Sequence, residues 1–378
     1  MELEVVHLVS LSAFVVAMVF GAIANKSHFC TMGAFSDWVN MGTQTRMRTW
    51  VLAIGVALFC SQAMHVLGWV DINQAINLTP RFGWLGHVLG GFLFGIGMTI
   101  AGGCGQRTLV RLGGGNLKSL VVLLMLGISA YMTLRGLFAL ARINYIEIFA
   151  VDLTLSGFSN QGLPHILAET LGFAENGLRI AVTIIAVAFA LWYVFKDSGY
   201  RKNTENIITG LVIGLICASA WYITGVMGFD DFEPVALEGM SFIAPVGNSI
   251  NYLMTFTGST IGFGIATVGG LILGSFLYAI ASKTFRVESF TNKSDMINHM
   301  VGGLIMGFGG VLALGCTIGQ GLTGLSTLAV GSVITIISIG FGCVLTLKMQ
   351  FNMLDDGFWK SLHLSLSDMR LMPTPKDE

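Results

Sequence analysis

One stretch without a charged residue, Met296 to Leu347, is 52 residues long. A helix needs only about 20 apolar residues to cross a hydrocarbon core of about 30 Å. The stretch therefore holds two crossings and an uncharged segment between them. That segment reads Gly315-Cys316-Thr317-Ile318-Gly319-Gln320-Gly321-Leu322-Thr323-Gly324. Because glycine disfavours a continuous helix, the chain is expected to break at membrane depth.

The rest of the sequence has the same character. Hydrophobic residues make up 54% of the chain and charged residues 11%, whereas soluble domains carry about 25% charged residues. The pattern predicts an all-α polytopic membrane protein with about nine transmembrane helices. The predicted crossings are 5–24, 49–68, 83–101, 119–141, 178–195, 206–224, 256–281, 297–313 and 331–347.

The first apolar run, Val5 to Asn25, is expected to be a retained helix. Ala22-Ile23-Ala24 resembles a signal-peptidase site, but Glu2 and Glu4 precede the run and no Lys or Arg does. A cleaved signal peptide has a basic start.

Lys and Arg predict the orientation, because cytoplasmic loops collect positive charge. With the N-terminus outside, sixteen of the twenty cations lie on the inner side: Lys26, Arg46, Arg48, Arg107, Arg111, Lys118, Lys196, Arg201, Lys202, Lys283, Arg286, Lys293, Lys348, Lys360, Arg370 and Lys376. The stretch from Gly225 to Thr255 reads as an outer loop whose only charged residues are Asp230, Asp231, Glu233 and Glu238. The N-terminus is therefore expected outside and the C-terminus in the cytoplasm.

An internal repeat becomes visible when Cys104 is aligned with Cys316. Both follow the pattern H-x2-G-G-x3-G-x-G-x3-A-x-G-C, which begins at His87 in one copy and at His299 in the other. Glycine matches alone would be weak in a membrane protein, but the shared histidine, alanine and cysteine make chance improbable. A fainter match pairs Thr31 with Thr224, which sets Cys30 opposite Ile223.

The two repeats are expected to have opposite orientations. Their Gly-Cys segments follow the third and the eighth predicted crossing, and an odd offset reverses the direction of the chain. The predicted organisation is a first repeat at 1–141, an outer segment with a linking span at 142–205, a second repeat at 206–347 and a cytoplasmic tail at 348–378. Inverted repeats with broken helices place transporter sites near the midplane.

Each re-entrant loop exposes backbone at membrane depth, which is tolerated only inside protein or beside a wet cavity. A helix that starts just after Cys104 or Cys316 would aim free N–H groups and a positive dipole end at the break. That geometry suits an anion. Arg107 and Arg111 could draw anions to the inner mouth, or could equally be positive-inside anchors. The alternative for both segments is a kinked helix packed through small residues.

The remaining acidic residues, cysteines and histidines do not predict a coupling or metal site. No Asp or Glu lies in the middle of a predicted crossing, so a carboxylate relay for proton coupling is not expected. The six cysteines show no CxxC spacing, so neither a metal site nor another cofactor is expected. Cys60, Cys217 and Cys343 read as packing residues. His87 and His299 read as packing or helix-end residues.

Three cysteine contexts carry a resemblance to a known family. They are Ser27-His28-Phe29-Cys30-Thr31-Met32-Gly33-Ala34-Phe35-Ser36-Asp37, Ala101-Gly102-Gly103-Cys104 and Gly315-Cys316-Thr317-Ile318-Gly319-Gln320-Gly321. Together they resemble the YeeE/YedE family of bacterial inner-membrane sulfur-transport proteins, over almost the whole chain except the tail after about residue 350. One departure is Leu314, where the first repeat has Gly102, and this leaves the pore width open.

The resemblance implies thiosulfate uptake through an hourglass-shaped protein of the bacterial inner membrane, and no enzymatic activity. Cys30, Cys104 and Cys316 would pass the ion inward by hydrogen bonds from their thiols. Gly103, Gly315, Thr317, Arg107 and Gln320 complete the set of candidate transport residues. Some relatives are linked instead to selenium metabolism, and some act beside a TusA-like sulfur-carrier protein, which makes such a protein a candidate partner.

Two other functions stay open. A membrane thiol-disulfide oxidoreductase would use cysteines to relay electrons, but the sequence spacing shows no obvious pair. A channel for a neutral solute would use the glycine-rich half-helices and would not need thiols. If protonated thiols bind an anion, uptake is expected to fall at alkaline pH, because a thiolate would repel the anion.

Two segments give little sequence signal. Residues 142–177 are expected to lie outside with a short interfacial helix, and the tail from about Phe351 is expected to lie on the inner surface.

Overall fold

The computed structural model describes residues 2–230, 235–353, 357–369 and 371. Asp231, Glu233, Arg370 and Lys376, which contribute to the charge argument above, lie outside these described residues. The α-helices are α1 (Glu2–Lys26), α2 (Thr31–Ser36), α3 (Thr45–Val66), α4 (Trp84–Ile100), α5 (Gly105–Gly113), α6 (Leu117–Arg135), α7 (Leu137–Ala141), α8 (Leu163–Leu171), α9 (Glu175–Phe195), α10 (Ser198–Arg201), α11 (Thr204–Tyr222), α12 (Ile243–Met254), α13 (Phe263–Ala281), α14 (Lys293–Leu312), α15 (Val330–Asn352) and α16 (Phe358–Asp368). Two short strands, β1 (Arg81–Phe82) and β2 (Val151–Asp152), pair antiparallel.

The prediction of an all-α polytopic membrane protein is confirmed. Among the described residues, eight stretches are helical and apolar enough to cross a membrane. They are Val5–Met41, Thr45–Val66, Trp84–Gly113, Leu117–Arg135, Glu175–Phe195, Thr204–Met227, Phe263–Ala281 and Val330–Asn352. The remaining predicted crossing coincides with α14, which is 20 residues long but begins with Lys293, Ser294 and Asp295. The total of nine stays a prediction.

Several long helices begin at an asparagine that caps their free N–H groups. The side chain of Asn116 accepts from the Ser119 N–H at the start of α6, and Asn203 does the same for α11. Asn292 accepts from the Asp295 N–H at the start of α14. Such a side-chain cap is worth about 1 kcal/mol, so these three helix starts are fixed locally by sequence.

The long helices pack in a few extensive pairs. These are α1 with α13, α3 with α11, α4 with α14, α4 with α15, and α6 with α14. Glycine makes the α4–α14 crossing close. A Cβ atom built at Gly90, Gly97, Gly302 or Gly309 would lie 2.6–2.7 Å from a backbone atom of the opposite helix. The two backbones are therefore in direct contact, as small residues permit in membrane helices.

Both helices that carry the Gly-Cys motif stop short of the cysteine, with the same hydrogen bonds. The Gly103 N–H donates to the Met98 carbonyl at 2.8 Å, and the Gly315 N–H donates to the Gly310 carbonyl at 2.8 Å. The chain turns through the left-handed region at Gly102, with φ of 69°, and at Leu314, with φ of 57°. Leucine adopts the conformation that its glycine counterpart adopts freely, so the substitution does not change the turn.

The structure corrects the reading of Gly225–Thr255 as an outer loop. Ile243–Met254 forms α12, whose first turns are buried and which packs against α6 and α13. Twelve residues are too few to cross a bilayer, so a search for membrane-crossing lengths does not reveal this helix. The predicted crossing at 256–281 also begins later, at Phe263.

The segment at 142–205 and the described part of the tail both pack against the bundle. After β2, the chain returns through α8 to α9, which packs on α3. In the tail, α16 lies against α15, where the Asn352 amide donates to the Ser365 hydroxyl at 3.0 Å.

Candidate functional site

Each of three cysteines stands at the start of a short helical segment inside the bundle. Cys30 is the N-cap of α2, Cys104 is the N-cap of α5, and Cys316 precedes a helical turn that becomes a π-helix at Gly319–Gly324. The Cys30 sulfur accepts from the Gly33 N–H at 3.3 Å, and the Cys316 sulfur accepts from the Gly319 N–H at 3.4 Å. All three thiols therefore sit where free backbone N–H groups and the positive end of a helix dipole converge.

The thiols of two of these segments meet. Cys30 and Cys104 lie close enough to interact electrostatically, although 74 positions separate them in sequence. The Thr317 side chain, from the other break, faces the Cys104 thiol. Cys104 and Cys316 are fully buried and Cys30 is nearly so. The two chain breaks thus come together in the interior of the bundle.

The Cys316 sulfur is surrounded by backbone. The Gly319 N–H donates to it, and the backbone N–H groups of Ile318 and Phe242 lie nearby. Phe242 is the N-cap of α12, and it was missed because α12 itself was read as loop. Pro245 in the first turn of α12 was a usable signal, since proline is favoured at helix starts.

Arg107 and Arg111 serve different ends of the first break. Arg107 lies close enough to Cys30 and Cys104 to interact electrostatically with both. The Arg111 guanidinium donates to the Gly102 carbonyl at 2.9 Å, which fixes the turn that leads to Cys104.

A cavity of about 330 Å³ opens beside these two arginines. Cationic side chains dominate its wall, with Glu288 as a carboxylate. The charged and titratable lining residues are Lys26, His28, Arg107, Arg111, Tyr278, Arg286 and Glu288. Arg107 therefore stands between the cavity and the buried thiols, and the cavity favours an anion.

Gln320 is engaged in the second break rather than free. Its amide nitrogen donates to the Ala313 carbonyl at 2.7 Å. Its amide oxygen accepts from the Ser332 hydroxyl at 2.5 Å and from the Asn77 amide at 3.3 Å. Gln320 thus ties the end of α14 to the segment after Cys316, as Arg111 ties the end of α4. The Gly103 and Gly315 N–H groups close the turns by their hydrogen bonds to Met98 and Gly310, and a Cβ atom at Gly315 would lie 3.2 Å from the Gly319 backbone.

The outer segment holds the chain that leaves the second break. The Gln161 side chain accepts from the Gly331 N–H at 3.3 Å, and the Leu163 N–H donates to the Leu328 carbonyl at 3.0 Å. The Gln62 amide donates to the Ser326 carbonyl at 2.6 Å, and the buried Arg179 donates to Gln62 at 3.2 Å. Residues 161–163 and Arg179 therefore have a structural role that the sequence did not reveal.

The remaining cysteines and histidines have structural contacts. Cys343 accepts from the Thr99 hydroxyl at 3.3 Å, and Cys217 is buried near Cys316. His87 shares a hydrogen bond of 2.8 Å with the Thr335 hydroxyl. His299, in the first turns of α14, contacts the Asp295 carbonyl at 2.8 Å. These contacts agree with the packing and helix-end roles predicted for both histidines.

Buried donors without a partner accompany the cysteines. In the described part of the chain, they include Thr31 Oγ1, Trp50 Nε1, Gln106 Nε2 and Thr317 Oγ1. The Trp50 ring packs on the π-helix, because a Cβ atom at Gly321 would lie 2.5 Å from it. Only Thr317 was predicted as a site residue. Proximity to a cysteine in the sequence was the available signal for Thr31 and Gln106.

The sequence profile described as "Sulphur transport" matches residues 26–345. Two curated proteins are similar along most of their length, and both are named thiosulfate transporter TsuA. The protein from Escherichia coli (strain K12) is 27% identical over 334 residues, covering 82% of this chain and 86% of the relative. The protein from Spirochaeta thermophila is 26% identical over 326 residues, covering 85% of this chain and 93% of the relative. The matched range includes all three site cysteines.

Proposed function

Because this chain belongs to the sulphur-transport family, we propose that it carries thiosulfate inward across the bacterial inner membrane, past the thiols of Cys30, Cys104 and Cys316. The observation that carries this proposal is the meeting of two chain breaks in the buried interior, where the fully buried Cys104 lies near both Cys30 and Thr317. The substrate follows from the names of both relatives.

A neutral thiol is a suitable contact for a passing anion. It donates a weak hydrogen bond, and it carries no charge that would hold the ion permanently. The helix ends behind the three sulfurs supply the positive potential that offsets part of the cost of removing a dianion from water. Attraction is thus provided by backbone dipoles, and contact is provided by thiols.

We propose that the fold consists of two inverted repeats. In this scheme α1 corresponds to α11, α2 to α12, α3 to α13, α4 to α14 and α6 to α15. Under this correspondence, the α1–α13 pair is equivalent to the α11–α3 pair, and the α4–α15 pair is equivalent to the α14–α6 pair. All four pairs pack extensively. In this scheme Phe242 is the counterpart of Cys30, because each is the N-cap of its short helix. The packing therefore favours Phe242 over Ile223, the residue that the fainter sequence match set opposite Cys30.

The basic cavity supports release on the cytoplasmic side. Its cations belong to the side that the distribution of Lys and Arg assigns to the cytoplasm, which places the N-terminus outside and the C-terminus inside. Arg107 would draw the ion from the thiols into the cavity. A cytoplasmic sulfur-carrier protein of the TusA type is the partner proposed to take up sulfur there.

The other predicted site residues have positioning roles in this scheme. The Gly103 and Gly315 N–H groups close the two turns, and Arg111 and Gln320 tie these turns to the following segments through the Gly102 and Ala313 carbonyls, respectively. Thr317 alone among the predicted non-cysteine residues in the second break presents a free polar group to the path.

Uptake of labelled thiosulfate by cells that lack other sulfur importers tests the proposal. Wild type should support uptake and growth on thiosulfate, and Cys30→Ala, Cys104→Ala and Cys316→Ala should each abolish both. Cys60→Ala, which changes a partly exposed cysteine on α3, should behave as wild type. Undiminished uptake by all three site variants would refute the thiol path. Preferential uptake of a selenium oxyanion would change the substrate and leave the path intact.

A thiol-disulfide oxidoreductase remains the second candidate, because the structure supplies the thiol pair that the sequence spacing did not show. Cys30 and Cys104 are neighbours, which is the first requirement for exchange of a disulfide. Alkylation of free thiols during turnover separates the two functions. A transporter should keep both cysteines reduced at every stage, whereas an oxidoreductase should accumulate a Cys30–Cys104 disulfide.

A further inference from the structure

Three buried side chains beside the site cysteines have a hydrogen-bond donor without a partner. They are the hydroxyl of Thr31, the amide nitrogen of Gln106 and the hydroxyl of Thr317. Their side chains belong to residues that are 2%, 1% and 0% exposed, respectively. Thr31 follows Cys30 directly, Thr317 follows Cys316 directly, and Gln106 is two residues after Cys104. Each of the three cysteine-bearing helix starts thus carries a thiol and a second donor on its first turn.

Such donors are unusual, because a buried polar group without a partner destabilises a fold. A threonine inside a helix normally bonds a carbonyl one turn back. Thr108 does so with Cys104 at 2.9 Å, and Thr133 does so with Ser129 at 2.7 Å. Thr31 and Thr317 stand at the start of their turns, so the chain that precedes them is not helical and offers no such carbonyl. Their hydroxyls are left for another acceptor.

The Gln106 amide likewise leaves a donor without a partner. Its amide oxygen accepts a long contact of 4.0 Å from the Cys104 thiol, while its amide nitrogen has no acceptor. The three positions therefore share one arrangement: a sulfur, a free neutral donor and backbone N–H groups at a helix start.

We propose that Thr31, Gln106 and Thr317 bind the oxygen end of the passing anion while the neighbouring thiols bind its terminal sulfur. This inference rests on the proposed function and adds to it the recognition of a sulfur-oxo anion by two kinds of donor. Thiosulfate has one terminal sulfur and three oxygens, so it satisfies both kinds at once. Sulfide lacks the oxygens and sulfate lacks the terminal sulfur. Each of these ions would therefore satisfy only one of the two kinds of donor.

Substitutions that keep the shape and remove the donor provide the test. The variants are Thr31→Val, Gln106→Leu and Thr317→Val, with Thr31→Ser and Thr317→Ser restoring a hydroxyl. Thr183→Val on α9 is the matched control, because its hydroxyl is also buried without a partner but lies away from the breaks. The measurements are labelled thiosulfate uptake at subsaturating concentration and the Tm of the purified protein without substrate.

Each Val or Leu variant should lose uptake by about tenfold or more, since a hydrogen bond to a charged group contributes about that factor. The Ser variants should keep most of the uptake. The Tm should not fall in any Thr→Val variant, because each removes an unsatisfied buried hydroxyl.

Wild-type uptake in all three donor variants would overturn the inference, and so would an equal loss in Thr183→Val. If the Cys→Ala variants are inactive while the donor variants are normal, the inference alone fails. If the Cys→Ala variants transport normally, the proposed function fails with it.

Discussion

At the scale of single residues, the site combines a soft neutral donor with a fixed positive potential. Cysteine loses little hydration on burial and behaves as a small hydrophobe with a weak S–H donor. It can therefore line a path at membrane depth without the desolvation cost that a charged side chain would carry. Arg107 adds a positive charge to this arrangement, since it interacts electrostatically with both Cys30 and Cys104.

Arg107→Gln should reduce thiosulfate uptake at subsaturating concentration by about tenfold, because a charge-assisted contact to the anion contributes about 1.5–3 kcal/mol. Arg107→Lys should keep most of the activity, since it keeps the charge. Arg135→Gln, at the exposed end of α6, is the control and should behave as wild type. Equal uptake by Arg107→Gln and wild type would exclude an electrostatic role for Arg107.

At the scale of helices, the crossing of α4 and α14 fixes the distance between the two breaks. Four glycines bring these backbones into contact, and both helices end a few residues later at the turns that precede Cys104 and Cys316. A wider crossing would move both turns apart.

Gly309→Ala should destabilise the protein by about 1–3 kcal/mol, the range for overpacking a well-packed core. The new Cβ would lie 2.7 Å from the Gly90 carbonyl oxygen and 2.7 Å from the Phe94 nitrogen. Gly177→Ala on α9, where nothing lies within 4 Å, should leave the Tm unchanged or slightly higher, because alanine is the better helix residue. Thermal unfolding in detergent measures both, and an unchanged Tm for Gly309→Ala would contradict a close crossing.

The elements differ in how far the sequence predicted them. Long apolar runs predicted α1, α3, α4, α6, α9, α11 and α15, because a bilayer imposes a minimum length. The 12-residue α12 has no such signature, and its burial depends on contacts with α6 and α13 that only the fold supplies. The same holds for the Cys30–Cys104 pair, since no local pattern encodes a contact between residues so far apart in sequence. Thr31 and Gln106 stand close to cysteines in the sequence, but the lack of a partner for their buried donors is visible only in the structure.

At the scale of the whole molecule, the direction of transport needs an energetic explanation. Inward movement of a dianion against an interior-negative potential of about 100 mV costs about 4.6 kcal/mol, which limits the inside concentration to about a thousandth of the outside one. No Asp or Glu lies in the middle of the long helices of the described chain, so these helices offer no carboxylate for proton coupling. For the proposed inward transport, we therefore expect consumption of the ion in the cytoplasm to be the driving force.

Proteoliposomes with an imposed potassium diffusion potential test this account. A change from an inside-negative potential of about 100 mV to zero should raise the final inside concentration of thiosulfate by about a thousandfold. A pH gradient imposed at zero potential should have no effect on accumulation. Accumulation driven by the pH gradient would show that protons are coupled to uptake.

The most direct test of the thiol path uses its own cysteines as the cross-link. In a variant that keeps only Cys30, Cys104 and Cys316, mild oxidation of proteoliposomes should form a Cys30–Cys104 disulfide, detected by mass spectrometry of the digested protein. Thiosulfate uptake should stop when this bond forms and should return after reduction. Failure of the bond to form, or undiminished uptake through the cross-linked protein, would contradict the path proposed between these two thiols.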